Sequence, residues 1–113
     1  MKVALTIWEN RISPVADSAR QLLVVNVENR AVLDTTTECL DAQSVFHCAR
    51  RLADLHAKIF ICGAISDFFA NLVEGYGIRV IPFVCGQADE VLNAYLENSL
   101  SSPKFVMTES SEP

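Results

Sequence analysis

Hydrophobic residues occur in short stretches along the chain. The spacing at which they recur distinguishes predicted strands from predicted helices. Alternating or continuous apolar runs predict five strands, at residues 2–8, 21–28, 31–39, 58–62 and 78–85. The third stretch contains three consecutive threonines, which favour an exposed strand. A short link at residues 28–30 joins the second and third stretches, so these two strands are predicted to form an antiparallel hairpin.

Three other segments carry apolar residues at helical spacing. Residues 41–55 place Val45, Cys48 and Leu52 on one face, which predicts an amphipathic helix. A second helix is predicted after Ser66, a good N-cap residue, and it ends near Gly75 and Gly77. The third predicted helix covers residues 89–98.

A hairpin followed by strand–helix–strand–helix units predicts an α/β fold, a three-layer α/β/α sandwich on a mixed five-stranded sheet. With the predicted strands numbered along the chain, the expected order is 3-2-1-4-5, with strand 2 antiparallel to the rest. Pro82 lacks an amide hydrogen, so the fifth strand is placed at an edge, and the threonine-rich third strand at the other. Either edge is a candidate for pairing in a homodimer.

This order predicts a ligand crevice between the carboxyl ends of strands 1 and 4, where the connections leave in opposite directions. Arg11 and Arg20 are expected on one rim beside Ser13, where they would attract an anion. The residues expected to line the crevice are Trp8, Glu9, Asn10, Arg11, Ser13, Cys62, Gly63 and Ser66.

Composition narrows the classes of function. The chain has 113 residues, and residues 1–107 are predicted to form one domain followed by a frayed tail at 108–113. A net charge of −5 argues against nucleic-acid binding. The apolar runs are too short to cross a membrane, and no signal-peptide core is evident, so a cytoplasmic location is expected. The central strands carry no paired carboxylates, which excludes a two-metal nuclease.

Three segments in order resemble one known family. They are residues 11–20 (RISPVADSAR) followed by LLVV, residues 61–66 (ICGAIS) and residues 77–86 (GIRVIPFVCG). Together they are similar to the dinitrogenase iron–molybdenum cofactor-binding family, over about residues 1–98. The resemblance implies a ribonuclease H-like sheet and kinship with proteins that carry iron–sulfur cofactor precursors during nitrogenase assembly. It also implies a cluster donor or acceptor protein as partner.

The cysteines are the residues most able to hold such a cofactor. Cys62 and Cys85 each precede a glycine, at the end of a predicted strand and just before a helix. Neighbouring parallel strands would bring both thiols to one rim, near helix N-termini that lower thiol pKa values. Thiolates are the usual ligands of iron–sulfur centres. The alternative, that both cysteines are small buried packing residues, stays open. Cys48 is expected to pack in the core.

The sequence therefore leads to two hypotheses. The first is a small, non-enzymatic carrier of an iron–sulfur or iron–molybdenum-type cluster, held transiently with Cys62 and Cys85 as metal ligands. The second is a cofactor-free interaction or small-anion-binding domain on the same scaffold. Under the first hypothesis, the residues that contact the cofactor are Trp8, Arg11, Ser13, Gly63, Ser66 and Gly86.

Overall fold

The structure, a computed structural model, describes residues 1–40, 44–98 and 105–106. The strands are β1 (Lys2–Trp8), β2 (Arg11–Ile12), β3 (Gln21–Glu28), β4 (Ala31–Cys39), β5 (Ala57–Ile61) and β6 (Arg79–Ile81). The α-helices are α1 (Val45–Asp54), α2 (Asp67–Gly75) and α3 (Ala88–Leu96), and a 3₁₀ turn covers Ala16–Ser18.

The main sheet has the order β4-β3-β1-β5-β6. β3 runs antiparallel to β1 and β4, whereas β1, β5 and β6 are parallel. The predicted fold class, strand order and edges are therefore confirmed. The strand β2 was not predicted, because its two residues are too few to show a hydrophobic period. It pairs with β1. Pairing of an edge strand with a second copy stays a prediction.

Both hairpins close through two-residue turns with left-handed backbone. Glu9 and Asn10 have φ values of 51° and 67° between β1 and β2, and Asn29 and Arg30 have 54° and 64° between β3 and β4. Positive φ at both central residues matches the right-handed twist of the flanking strands. The first turn therefore fixes Trp8 opposite Arg11, and the second fixes Glu28 opposite Ala31.

Several element boundaries differ from the prediction, among them those of the first helix and of the fifth strand. α1 begins at Val45, after Ser44, whose side chain accepts a hydrogen bond from the Phe46 amide at 3.1 Å; the predicted start at residues 41–43 lies outside the described residues. The predicted fifth strand shortens to β6, so Pro82 follows the strand instead of interrupting it. Phe83 then adopts a φ of 61°, which ends the extended backbone.

Helices cover both faces of the sheet. The helices α1 and α2 pack on one face through Cys48, Leu52, Phe69 and Val73, all buried. On the other face, α3 packs through Val91 and its neighbours. Three layers result, as predicted.

The chain returns to the α3 face near its end. Phe105 is buried there, and Val106 forms an antiparallel bridge with Val84. The predicted tail at residues 108–113 lies outside the described residues, so the predicted domain limits stay a prediction. Across the residues that the structure describes, no helix has the length and apolar character needed to cross a bilayer.

Candidate functional site

The short strand β2 brings four of the predicted site residues to one rim of the sheet. Arg11 lies opposite Trp8 in the β1–β2 register and bridges Gln87. The Ile12 amide donates to the carbonyl of Gly86 at 3.0 Å, which places β2 alongside the segment that leads into α3. Trp8 is 53% exposed, Arg11 and Gly86 are exposed, and Cys85 is partly buried. We call Trp8, Arg11, Cys85 and Gly86 the rim.

Trp8 also forms one wall of an open groove of about 400 Å³. Ser13 and Arg20 line this groove with it. Arg11 is not among the lining residues and lies instead beside the start of α3. The two arginines predicted to share a rim with Ser13 therefore flank different surfaces, and only Arg20 is brought beside Ser13.

The loop between β2 and β3 fills the crevice that was predicted between the carboxyl ends of β1 and β5. The Ala64 amide donates to the Pro14 carbonyl at 2.9 Å, and Val15 forms a parallel bridge with Ala64. A Cβ atom at position 63 would lie 2.6 Å from the Pro14 carbonyl oxygen and in conflict with the Ser13 carbonyl. The expected open crevice is thus corrected: Ser13 and Gly63 are buried, and Gly63 lets the loop approach.

The N-terminus of α2 is already capped by a carboxylate. The Ser66 amide donates to Asp17 Oδ1 at 2.9 Å, and the Ser66 hydroxyl donates to Asp17 Oδ2 at 2.6 Å. The same hydroxyl accepts from the Phe69 amide at 3.1 Å. Asp17 supplies the negative charge that favours a helix N-terminus, so an anionic ligand at Ser66 would have to displace it.

The N-terminus of α3 is similarly occupied. The Ala88 amide donates to the carbonyl of Asn10 at 2.9 Å. Asp89 and Glu90 both lie in the first turn, where they supply negative charge. Carboxylates therefore surround the N-termini of both α2 and α3. This does not support the expectation that these termini attract an anionic cluster.

Cys62 lies in the core under α1 and α2. It is 0% exposed, and burial raises the pKa of its thiol to about 12, with smaller contributions from the negative charges of Asp17 and Cys48. The expectation that a helix N-terminus lowers this pKa is wrong, because loss of water around the thiolate dominates. Cys48 is also buried, and burial and Asp17 raise its pKa to about 12, as suits the predicted packing role.

Cys85 and Cys39 are the more accessible thiols. Cys85 is partly exposed, and its amide donates to the Phe105 carbonyl at 2.9 Å. Cys39 is exposed at the end of the edge strand β4. Among the described residues, no three His, Cys, Asp or Glu side chains are grouped so that they could hold a metal ion.

Two features of the site escaped the sequence analysis. One is Asp17, which bonds to Ser66 across 49 positions of sequence and which no local pattern singles out. The Glu9–Asn10 turn that aligns Arg11 with Trp8 was treated as loop. Asparagine tolerates the left-handed backbone that this turn requires, and Asn10 was the signal that could have indicated it.

These features define a class: a small three-layer α/β domain with an aromatic and cationic rim where β1 turns into β2. Residues 1–98 match the sequence model of the dinitrogenase iron-molybdenum cofactor family, and the chain belongs to that family. The predicted resemblance is thereby confirmed. A comparison with curated proteins gave no match.

Solved structures share the fold. PH0822 superposes with a TM-score of 0.84 at 18% identity, covering 97% of this chain and 96% of its own. MJ0327 of Methanocaldococcus jannaschii gives 0.75 at 19% identity, covering 89% and 92%. The apo form of the orange protein from Desulfovibrio gigas gives 0.71 at 16% identity, covering 96% and 92%. At these identities the likeness concerns the fold alone.

Proposed function

We propose that this protein is a small binding module or carrier for an iron–sulfur-type metal cofactor or its precursor, and that it acts without catalysing a reaction. The observation that carries the proposal is the family match over residues 1–98. A cluster donor or acceptor protein is the partner that a carrier needs. The cytoplasmic location remains part of the same proposal.

The rim is the surface we assign to the cargo. Arg11 offers a guanidinium group to an anionic cluster, and the exposed indole of Trp8 offers an apolar wall. The partial exposure of Cys85 supports it as the thiol that meets the metal. Gly86, with a φ of 124°, lets the backbone turn beside this thiol.

The other predicted contacts have a supporting role in this proposal. Ser13, Gly63 and Ser66 hold the loop and α2 against each other. Cys62 would become a ligand only if this loop opened, because its thiol is buried and its pKa is about 12. One partly exposed thiol at the rim suits transient binding, in which the cofactor keeps most of its own ligands.

Anaerobic reconstitution with iron and sulfide, followed by absorbance spectra and iron counting, tests the proposal. We expect the wild type to bind iron and Cys85→Ser to lose most of it. Cys39→Ser is the matched control, because Cys39 is exposed but lies at the far edge strand. If Cys62→Ser also loses iron while keeping its fold, the predicted pair of ligands is supported. A wild type that binds no iron, or Cys85→Ser that binds as much, contradicts the assignment.

The groove beside Trp8 favours one alternative, a cofactor-free domain that binds a small anion. Arg20 and Ser13 line it together. Titration with phosphate, followed by amide chemical shifts, tests this alternative independently of iron. Saturable shifts near Ser13 that vanish in Arg20→Gln would support it, and their absence would exclude this groove as an anion site.

A further inference from the structure

A second and larger groove runs along β6 and the end of α3, away from the rim. It consists of two adjoining cavities of about 520 and 450 Å³, which share Arg79, Tyr95 and Asn98. Cavities of a few hundred to a thousand cubic ångströms, mostly apolar with a few polar groups, are typical ligand sites. We call this the β6 groove.

One half of the β6 groove is apolar. Ile81, Pro82, Val84 and Val106 line it together with Phe83. Phe83 is 45% exposed and Val106 is 46% exposed, so apolar surface faces solvent here. Phe83 also has a φ of 61°, which is rare for a bulky residue. This backbone conformation is unfavourable by itself and persists because the surrounding structure stabilises it. The backbone is therefore held so that an aromatic ring stays at this half of the groove.

The other half carries positive charge on an otherwise acidic protein. Arg30 lies in the β3–β4 turn and Arg79 begins β6, and both line the groove. Neither forms an ion pair with another described residue. Met1 also lines this half, and its N-terminal ammonium donates to the Val27 carbonyl at 2.9 Å. Glu28 is the carboxylate that lines it, so positive groups outnumber the acid. The remaining positive charge favours a ligand with an anionic head group.

We propose that the β6 groove binds a small amphiphilic anion, an apolar body with a carboxylate head. The apolar body lies along Phe83 and Val106, and the carboxylate is held near Arg79 and Arg30. Guanidinium groups pair with carboxylates through two parallel hydrogen bonds, which fits a planar head. This inference is independent of the proposed cofactor role, because the two sites share no residue.

Titration of the full chain with decanoate below its micelle concentration, monitored by amide chemical shifts, tests the proposal. We expect saturable shifts at Phe83, Asn98 and Val106. Loss of one charge-assisted contact in Arg79→Gln should weaken binding about tenfold. Arg50→Gln is the matched control, because Arg50 is an exposed arginine on α1, across the sheet, and should leave the affinity unchanged.

Two further measurements separate the apolar and the charged contributions. Phe83→Gly removes the ring but tolerates the positive φ, so it should weaken decanoate binding while the spectrum stays folded. Decanol has the same chain without the charge and should bind about tenfold more weakly. The proposal is overturned if decanoate gives no saturable shifts, if decanol binds equally well, or if Arg50→Gln weakens binding as much as Arg79→Gln.

Discussion

Thr6 illustrates how one side chain can conflict with its surroundings. It lies on β1, is 0% exposed, and its hydroxyl oxygen has no hydrogen-bond partner among the described residues. A buried hydroxyl without a partner costs free energy because it has lost its bonds to water. Its backbone is better placed, since the Thr6 carbonyl accepts from the Ser13 amide at 2.9 Å and helps to anchor the loop.

Replacement of Thr6 by valine should therefore stabilise the protein. Valine keeps the branched shape and removes the unsatisfied hydroxyl, so we expect the free energy of unfolding to rise by about 1 kcal/mol. Urea denaturation measures it. Thr36→Val on the exposed edge strand β4 is the control and should change stability by less than about 0.5 kcal/mol. A clear loss of stability in Thr6→Val would mean that the hydroxyl has a partner in solution.

At the scale of elements, one loop connects β2, β5 and α2. Its backbone forms two hydrogen bonds with Ala64. The Pro14 carbonyl accepts from the Ala64 amide, and the Ala16 amide donates to the Ala64 carbonyl. Asp17 then reaches the start of α2 and satisfies both the amide and the hydroxyl of Ser66. The loop is thus part of the packing that holds α2 on the sheet.

Removal of the Asp17 carboxylate should loosen α2. Asp17→Ala loses two hydrogen bonds and the favourable charge at the helix N-terminus, so we expect a loss of about 1–2 kcal/mol in stability. Thermal or urea unfolding, together with amide exchange in α2, reports the effect. Asp54→Ala removes an exposed carboxylate paired with Arg50 at 3.5 Å and should cost less than about 0.5 kcal/mol. Equal losses in the two variants would contradict the capping role.

For the molecule as a whole, the two buried thiols link stability to pH. Burial raises the pKa values of Cys48 and Cys62 from 9.0 to about 12, so the folded state holds these protons more tightly than the unfolded state. The stability gained is present below pH 9 and is lost as the pH rises from 9 towards 12.

Stability should therefore fall in this range by up to about 1.4 kcal/mol per pH unit for each buried thiol. Urea denaturation at several alkaline pH values measures how steeply the free energy of unfolding falls with pH. Cys48→Ala should reduce this slope by the contribution of one thiol. A thiol-reactive dye should modify Cys39 and Cys85 in the folded protein but reach the buried pair only after unfolding. Rapid labelling of Cys62 in the native state would show that the loop opens readily.

Much of the architecture followed from local pattern. The strand order, the edges and the faces of α1 and α2 were predicted because hydrophobic period reports which residues must leave water. The three-segment resemblance led to the right family. The two-residue strand β2 was missed because it is too short to show a period. The length of β6 was overestimated because apolar residues continue beyond its end at Ile81.

The site was harder to predict because its surroundings come from distant parts of the chain. The sequence alone determined that Cys62 lies at the end of a buried strand and that Ser66 begins a helix. Only the tertiary structure decided that the loop fills the crevice, that Asp17 caps α2, and that Cys62 is shielded while Cys85 is not. The same is true of the β6 groove, because Arg30 and Arg79 line one cavity although they lie 49 positions apart in the sequence. Burial and charge depend on neighbours in space, and a local pattern does not contain them.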